Sequence, residues 1–163
     1  MRGPLDRLES SQLLIRVPIC PNPHIPLAQH VTANRFKLFY FDIGVLLRSL
    51  DIPGRATLQQ RIGTYRGFLL ENFVAQELRA HLGVHLYSWV GATSEVEFLV
   101  QMDDAVIPVE VKSSSRSRRA RSLQAYMNKY TPSRAVKVTG QNYGRSGALV
   151  TLPLYALQHM REI

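Results

Sequence analysis

Glu95-Val96-Glu97-Phe98-Leu99-Val100-Gln101-Met102-Asp103-Asp104-Ala105-Val106-Ile107-Pro108-Val109-Glu110-Val111-Lys112 is the stretch on which the fold turns. Two runs rich in aliphatic and β-branched residues flank the short polar connection Met102-Asp103-Asp104. That pattern predicts an antiparallel hairpin of 95–101 with 105–112. Side chains alternate along a strand, so Glu110 and Lys112 share one face while Val109 and Val111 take the other. The hairpin then brings Glu97 beside Glu110.

Moving outward, His85–Val90 reads as a strand before the hairpin. The strongest helix is expected over Tyr65–His81. Asn72, Gln76 and Arg79 form its expected solvent stripe, and Phe68, Leu70, Phe73, Val74, Ala75 and Leu78 lie around the rest of the wheel. Glu71 and Glu77 intrude into that apolar arc. After the hairpin, 117–130 predicts a helix with Leu123, Tyr126 and Met127 inward. Ala135–Val138 and Ala148–Leu152 predict strands, and Leu154–Met160 a last short helix. Helix, three strands, helix, strand, strand is an α/β order.

Upstream, Leu5–Leu14 predicts a short helix and Leu14–Val17 a brief strand. Pro18, Pro21, Pro23 and Pro26 exclude regular helix or central strand from the next stretch, and 18–33 reads as a linker or surface loop. Phe36–Phe41 predicts a strand, Asp42 the N-cap of a helix over 43–50, and Asp51-Ile52-Pro53-Gly54 a turn.

The chain has 163 residues, 45% hydrophobic and 20% charged, enough apolar material for one packed domain and against wholesale disorder. A single cysteine, Cys20, excludes an intramolecular disulfide framework and a multi-cysteine zinc site. No secretory signal is visible, and the most apolar stretch, Leu38–Leu47, contains Asp42 and is too short to span a bilayer. The expectation is a soluble cytoplasmic protein with no membrane partner.

The charge is uneven. Residues 1–110 hold ten Lys/Arg against eleven Asp/Glu, whereas 111–163 hold ten Lys/Arg against Glu162 alone. A regional excess of this kind suits a surface facing an anion such as nucleic acid. Arg116, Arg118, Arg119 and Arg121 directly follow the strand that carries Glu110 and Lys112, where they could contact phosphates. The plainer reading of the same charges is a solvated face.

Glu71, Glu97, Glu110 and Lys112 could converge on one cleft. Clustered carboxylates suit Mg²⁺, a hard cation that takes oxygen ligands and keeps several waters. Such an ion lowers the pKa of a bound water and offsets charge developing on a phosphate, and a nearby lysine can orient the attacking water. The alternative is an ordinary Glu110–Lys112 ion pair on an exposed strand, in which the lysine adds little to stability. His81 and His85 lack the accompanying carboxylate of a zinc helix, Cys20 lacks a catalytic partner, and Tyr87 and Trp89 read as core residues.

Glu97, a gap of twelve residues, and then Glu110-Val111-Lys112 resembles the (D/E)…(D/E)xK signature of the restriction-endonuclease-like superfamily. Phe36–Gly44, Gly67–Val74, Ser94–Phe98, Pro108–Lys112 and the closing Leu152-Pro153-Leu154-Tyr155 occur in an order similar to a particular C-terminal domain of unknown function. That domain follows the ATPase module in a family of prokaryotic AAA-type ATPases. The resemblance covers about 13–160. It implies an α/β fold with a restriction-endonuclease-like core, a central mixed sheet flanked by helices and a short N-terminal winged-helix-like remnant. It divides the chain into a remnant with proline-rich linker at 1–33 and a nuclease-like domain at 34–163. It implies catalytic roles for Glu71, Glu97, Glu110 and Lys112, metal ligation by Glu97 and Glu110, and an ATPase module or partner. The family residue at Glu97 is Asp, one methylene shorter. The chain has no GxxxxGK[ST] loop, hence no ATP site of that type, and on this reading is a separated C-terminal portion. Two functions follow as expectations: Mg²⁺-dependent phosphodiester hydrolysis, or a non-catalytic domain that binds nucleic acid or protein alongside an ATPase.

Overall fold

The computed structural model describes residues 3–53, 65–113 and 121–163. In chain order the elements are α1 (Pro4–Ser10), β1 (Leu14–Pro18), a 3-10 turn (Leu27–His30), β2 (Phe36–Tyr40) and α2 (Ile43–Ser49). Next come α3 (Tyr65–Leu82), β3 (Leu86–Val90), β4 (Glu95–Met102), β5 (Ala105–Val111) and α4 (Arg121–Tyr130). The chain continues through β6 (Ala135–Thr139), β7 (Gly144–Ser146) and β8 (Leu149–Pro153) to a 3-10 helix (Leu154–His159).

The main sheet has six strands in the order β3-β4-β5-β6-β8-β7. β3, β4 and β5 run antiparallel, β5–β6 and β6–β8 are parallel, and β7 returns antiparallel to β8. The sheet is therefore mixed, and its first four strands with α3 and α4 follow the sequence α-β-β-β-α-β. The expected β4–β5 hairpin is present, paired from Phe98↔Val109 to Met102↔Ala105. Its turn is the two residues Asp103-Asp104, with Asp103 at φ 51°. Aspartate tolerates this left-handed region better than most side chains.

Both faces of the sheet are covered. On one, Val74, Ala75 and Leu78 of α3 pack on Phe98, Val100, Val109, Val111, Val136 and Val138. On the other, Leu123 and Tyr126 of α4 pack on Tyr87, Trp89, Leu99 and Ala135. Trp89 meets Tyr126 edge to face, with centroids 5.3 Å apart, the arrangement that the ring quadrupole favours.

Three expectations are corrected by the packing. Asn72 belongs to no solvent stripe: it is fully buried, and its amide accepts the Tyr40 N–H at 2.8 Å and donates to the Tyr40 carbonyl at 3.1 Å. Gln76 likewise accepts the Ile43 N–H at 2.8 Å. A side-chain amide carries a donor and an acceptor, the complement of a strand edge with no further strand beside it. Phe68, placed on the apolar arc, stays exposed.

The stretch 18–33 is irregular apart from its 3-10 turn and half of it is exposed, as expected of a surface loop, but part of it enters the core. Cys20 and Leu27 are fully buried against Tyr87 and Trp89, and Ile19 bridges to Ser88 of β3. Pro18 closes β1, and the later prolines keep the rest of the stretch out of regular strands without excluding its apolar side chains from the core. On either side of it β1 and β2 pair antiparallel, from Leu14↔Tyr40 to Pro18↔Phe36. The strand β7, Gly-Arg-Ser, had no apolar alternation by which it could be foreseen, and the closing helix is 3-10 in type.

Other expectations hold. Asp42 caps α2, accepting the Val45 N–H at 2.9 Å. Among the described residues no helix is long and apolar enough to cross a membrane.

Candidate functional site

The site grows from the open end of the β4–β5 hairpin. Cross-strand pairing stops at Phe98↔Val109. One residue further the strands part, and the Glu97 carboxylate accepts the Val111 N–H at 3.1 Å.

Glu97 also lies in an irregularity of β4. Tyr87 pairs with Leu99 but Trp89 with Val96, so two steps along β3 face three along β4. The extra residue falls at Glu97–Phe98, opposite Ser88, whose buried hydroxyl donates to the Val96 carbonyl at 2.9 Å. This β-bulge explains why Val96 and Leu99, three apart, belong to the same apolar cluster. It also re-aims Glu97 relative to strict alternation.

Glu110 is 1% exposed in the middle of the sheet. One carboxylate oxygen pairs with the Lys112 ammonium, and the other accepts the Leu123 N–H at 3.3 Å. Leu123 lies on α4. Lys112 is 24% exposed, so its ammonium reaches solvent while pairing with a buried charge. The pair expected between two exposed side chains thus has a buried partner.

Electrostatics tie Glu97 to the same group. Burial pushes its pKa up to about 7; a bond from its own N–H, the Lys112 ammonium and the Val111 N–H pull the other way, and the Glu110 charge adds to the rise. Glu71 on α3 is also raised, first by burial; Lys37 and Lys112 oppose the rise and Glu95 adds to it. Glu71 therefore shares surroundings with Lys112 and with the Lys37–Glu95 ion pair, which joins β2 to the start of β4.

The structure thus brings Glu97, Glu110 and Lys112 together and puts Glu71 within electrostatic reach of Lys37, Glu95 and Lys112. Among the described residues no three His, Cys, Asp or Glu side chains come close enough to hold a metal ion jointly. The buried Glu110 and the partly buried Glu97 remain, a donor set that suits a hard cation content with one or two carboxylates and otherwise water. Lys112 neutralises Glu110 in the arrangement described. Sequence reading passed over Lys37 and Glu95; both lie in segments that carried the family resemblance, but only the chain's path joins them. Of the four candidate nucleic-acid-binding arginines, Arg121 is exposed at the start of α4, and Arg116, Arg118 and Arg119 lie outside the described residues.

No curated protein and no solved structure matches the chain. Residues 66–157 match the family model described as "Domain of unknown function (DUF4143)". The match runs from the first turn of α3 into the closing 3-10 helix, and takes in Glu71, Glu97, Glu110 and Lys112. It spans more than half of the chain, and the chain belongs to that family of domains of unknown function.

Proposed function

We propose that this is a nuclease-like domain with a restriction-endonuclease-like core, acting on phosphodiester bonds of nucleic acid with a divalent cation such as Mg²⁺. The observation that carries the reading is the meeting of Glu97, Glu110 and Lys112 where β4 and β5 part, inside an α-β-β-β-α-β order. The resemblance to the (D/E)…(D/E)xK signature supports it, as does the basic balance of 111–163.

On this reading Glu97 and Glu110 would hold the cation, which when bound would supply charge neutralisation at the phosphate and a more acidic water. The attacking water would give its proton to solvent, because a Glu97 bound to the cation would no longer have the raised pKa of the metal-free chain. Lys112 leaves Glu110 for the substrate and donates to a phosphoryl oxygen. Water oxygen bonds to phosphorus as one ester P–O bond breaks, and the departing oxygen ends protonated. Glu71 acts through Lys112 and is a positioning residue.

A second reading is favoured by one feature: both Glu110 oxygens already have partners, Lys112 and Leu123. On that reading the cluster is structural, and the domain binds nucleic acid or protein in company with an ATPase. The test is incubation of the purified chain with labelled DNA and RNA, with and without millimolar Mg²⁺ or Mn²⁺, alongside Glu110→Gln. Metal-dependent cutting lost in the variant supports the nuclease. Absence of cutting together with absence of divalent-ion binding by calorimetry favours the interaction domain.

A further inference from the structure

A cleft of about 450 Å³ opens between α4 and the strands β6 and β8. Its lining includes Arg121, Lys137, Gln124, Asn128, Met127 and Leu149, and contains no carboxylate. Among the described residues neither Arg121 nor Lys137 has an ion-pair partner. Gln124 and Asn128 are hydrogen-bonded to each other at 2.9 Å, one turn apart on α4.

The cleft abuts the candidate site. Lys137 is the register partner of Glu110 on the adjacent parallel strand, and so stands on the same face of the sheet. Arg121 precedes by two residues Leu123, whose N–H binds Glu110. Glu110 is therefore the boundary, with the carboxylate–lysine group on one side and a cationic cleft on the other.

We infer that this cleft holds a single nucleic-acid strand leading away from the carboxylate site, with Arg121 and Lys137 on its phosphates and the Met127–Leu149 floor under an unstacked base. Arg121 and Lys137 line a cleft that holds no carboxylate of its own, and the neighbouring Glu110 is already engaged by Lys112 and the Leu123 N–H, so the two cations fit a polyanion. The apolar floor and side-chain amides fit a base, whose faces and edges are accessible in a single strand and largely hidden in a duplex. The identity of the ligand rests on the nuclease-like reading.

The test uses the full chain and a labelled single-stranded oligonucleotide in EDTA, titrated over a series of salt concentrations. The double variant Arg121→Gln, Lys137→Met, checked for folding by circular dichroism, should bind roughly tenfold more weakly, with a salt slope lower by about 1.4, since each phosphate contact to a single strand contributes about 0.7. Arg48→Gln, on α2, should bind as wild type. Unchanged affinity and slope in the double variant overturn the inference, even if wild type cuts nucleic acid. Wild type that binds no oligonucleotide overturns it as well. Loss of binding in the variant, with no metal-dependent cutting by wild type, supports the cleft and removes the cleavage reading alone. Equal binding of duplex, or full competition by poly-glutamate, overturns the single-strand assignment.

Discussion

The Glu110 carboxylate, 1% exposed, accepts the Leu123 N–H at 3.3 Å and so ties the centre of the sheet to α4. The bond closes a loop of the chain from β5 back onto its own sheet. It gives Glu110 a structural duty besides any chemistry. Glu110→Ala should therefore destabilise more than Glu110→Gln, by about 1–3 kcal/mol, because glutamine keeps an acceptor for Leu123 whereas alanine leaves a buried donor unsatisfied. Urea unfolding of the two variants checks this. Equal stabilities would mean that the bond adds nothing.

Lys112 should matter to folding as well. Lys112→Ala leaves a buried carboxylate without its cation, and should cost about 2–4 kcal/mol. Lys129→Ala, an exposed lysine on α4, should change stability by no more than about 0.5 kcal/mol. Parallel unfolding curves give the comparison. If both variants match wild type, the Glu110–Lys112 pair is only a surface contact. Loss of activity in Lys112→Ala is therefore read on protein shown to be folded.

Glu97 predicts a pH dependence. Its pKa in the folded chain is raised to about 7 from an ordinary 4.5. Between those values the folded state binds more protons than the unfolded state, so stability falls as pH rises from about 4.5 to about 7. The loss from this group is at most on the order of 3 kcal/mol. Glu97→Gln, unfolded without divalent ions at several pH values, should lose that slope and exceed wild type in stability at pH 8. An unaltered slope would assign the effect elsewhere.

Asn72 supplies the fourth prediction. Asn72→Leu keeps the volume but leaves the Tyr40 N–H and carbonyl without their partner, at a cost of about 1–3 kcal/mol. Exchange of the Tyr40 amide hydrogen should accelerate in the variant. If it stays as slow as in wild type, the β2 edge is protected by something other than Asn72.

Apart from β7 and the 3-10 turn at Leu27–His30, the sequence by itself determined the order of elements and the hairpin at its centre. The aliphatic and β-branched runs and the polar break at Asp103-Asp104 between them are local signals, and a hairpin is a local structure. Glu110 and Lys112 on one face follow from the two-residue period of a strand, and the Asp42 cap from a preference expressed within four residues. Only the tertiary structure decided the rest. Asn72 read as solvent-facing because helical periodicity cannot announce that a strand edge, 32 residues away, will need an amide beside it. The bulge at Glu97 arises from the mismatch between β3 and β4, a property of two strands that neither sequence carries alone. The surroundings of Glu71 depend on Lys37 and Glu95, brought from β2 and β4 to meet α3. The burial of Glu110 is likewise a product of the strands and the helix closing around it. Local pattern specifies which side a residue faces; what waits on that side is set by long-range packing.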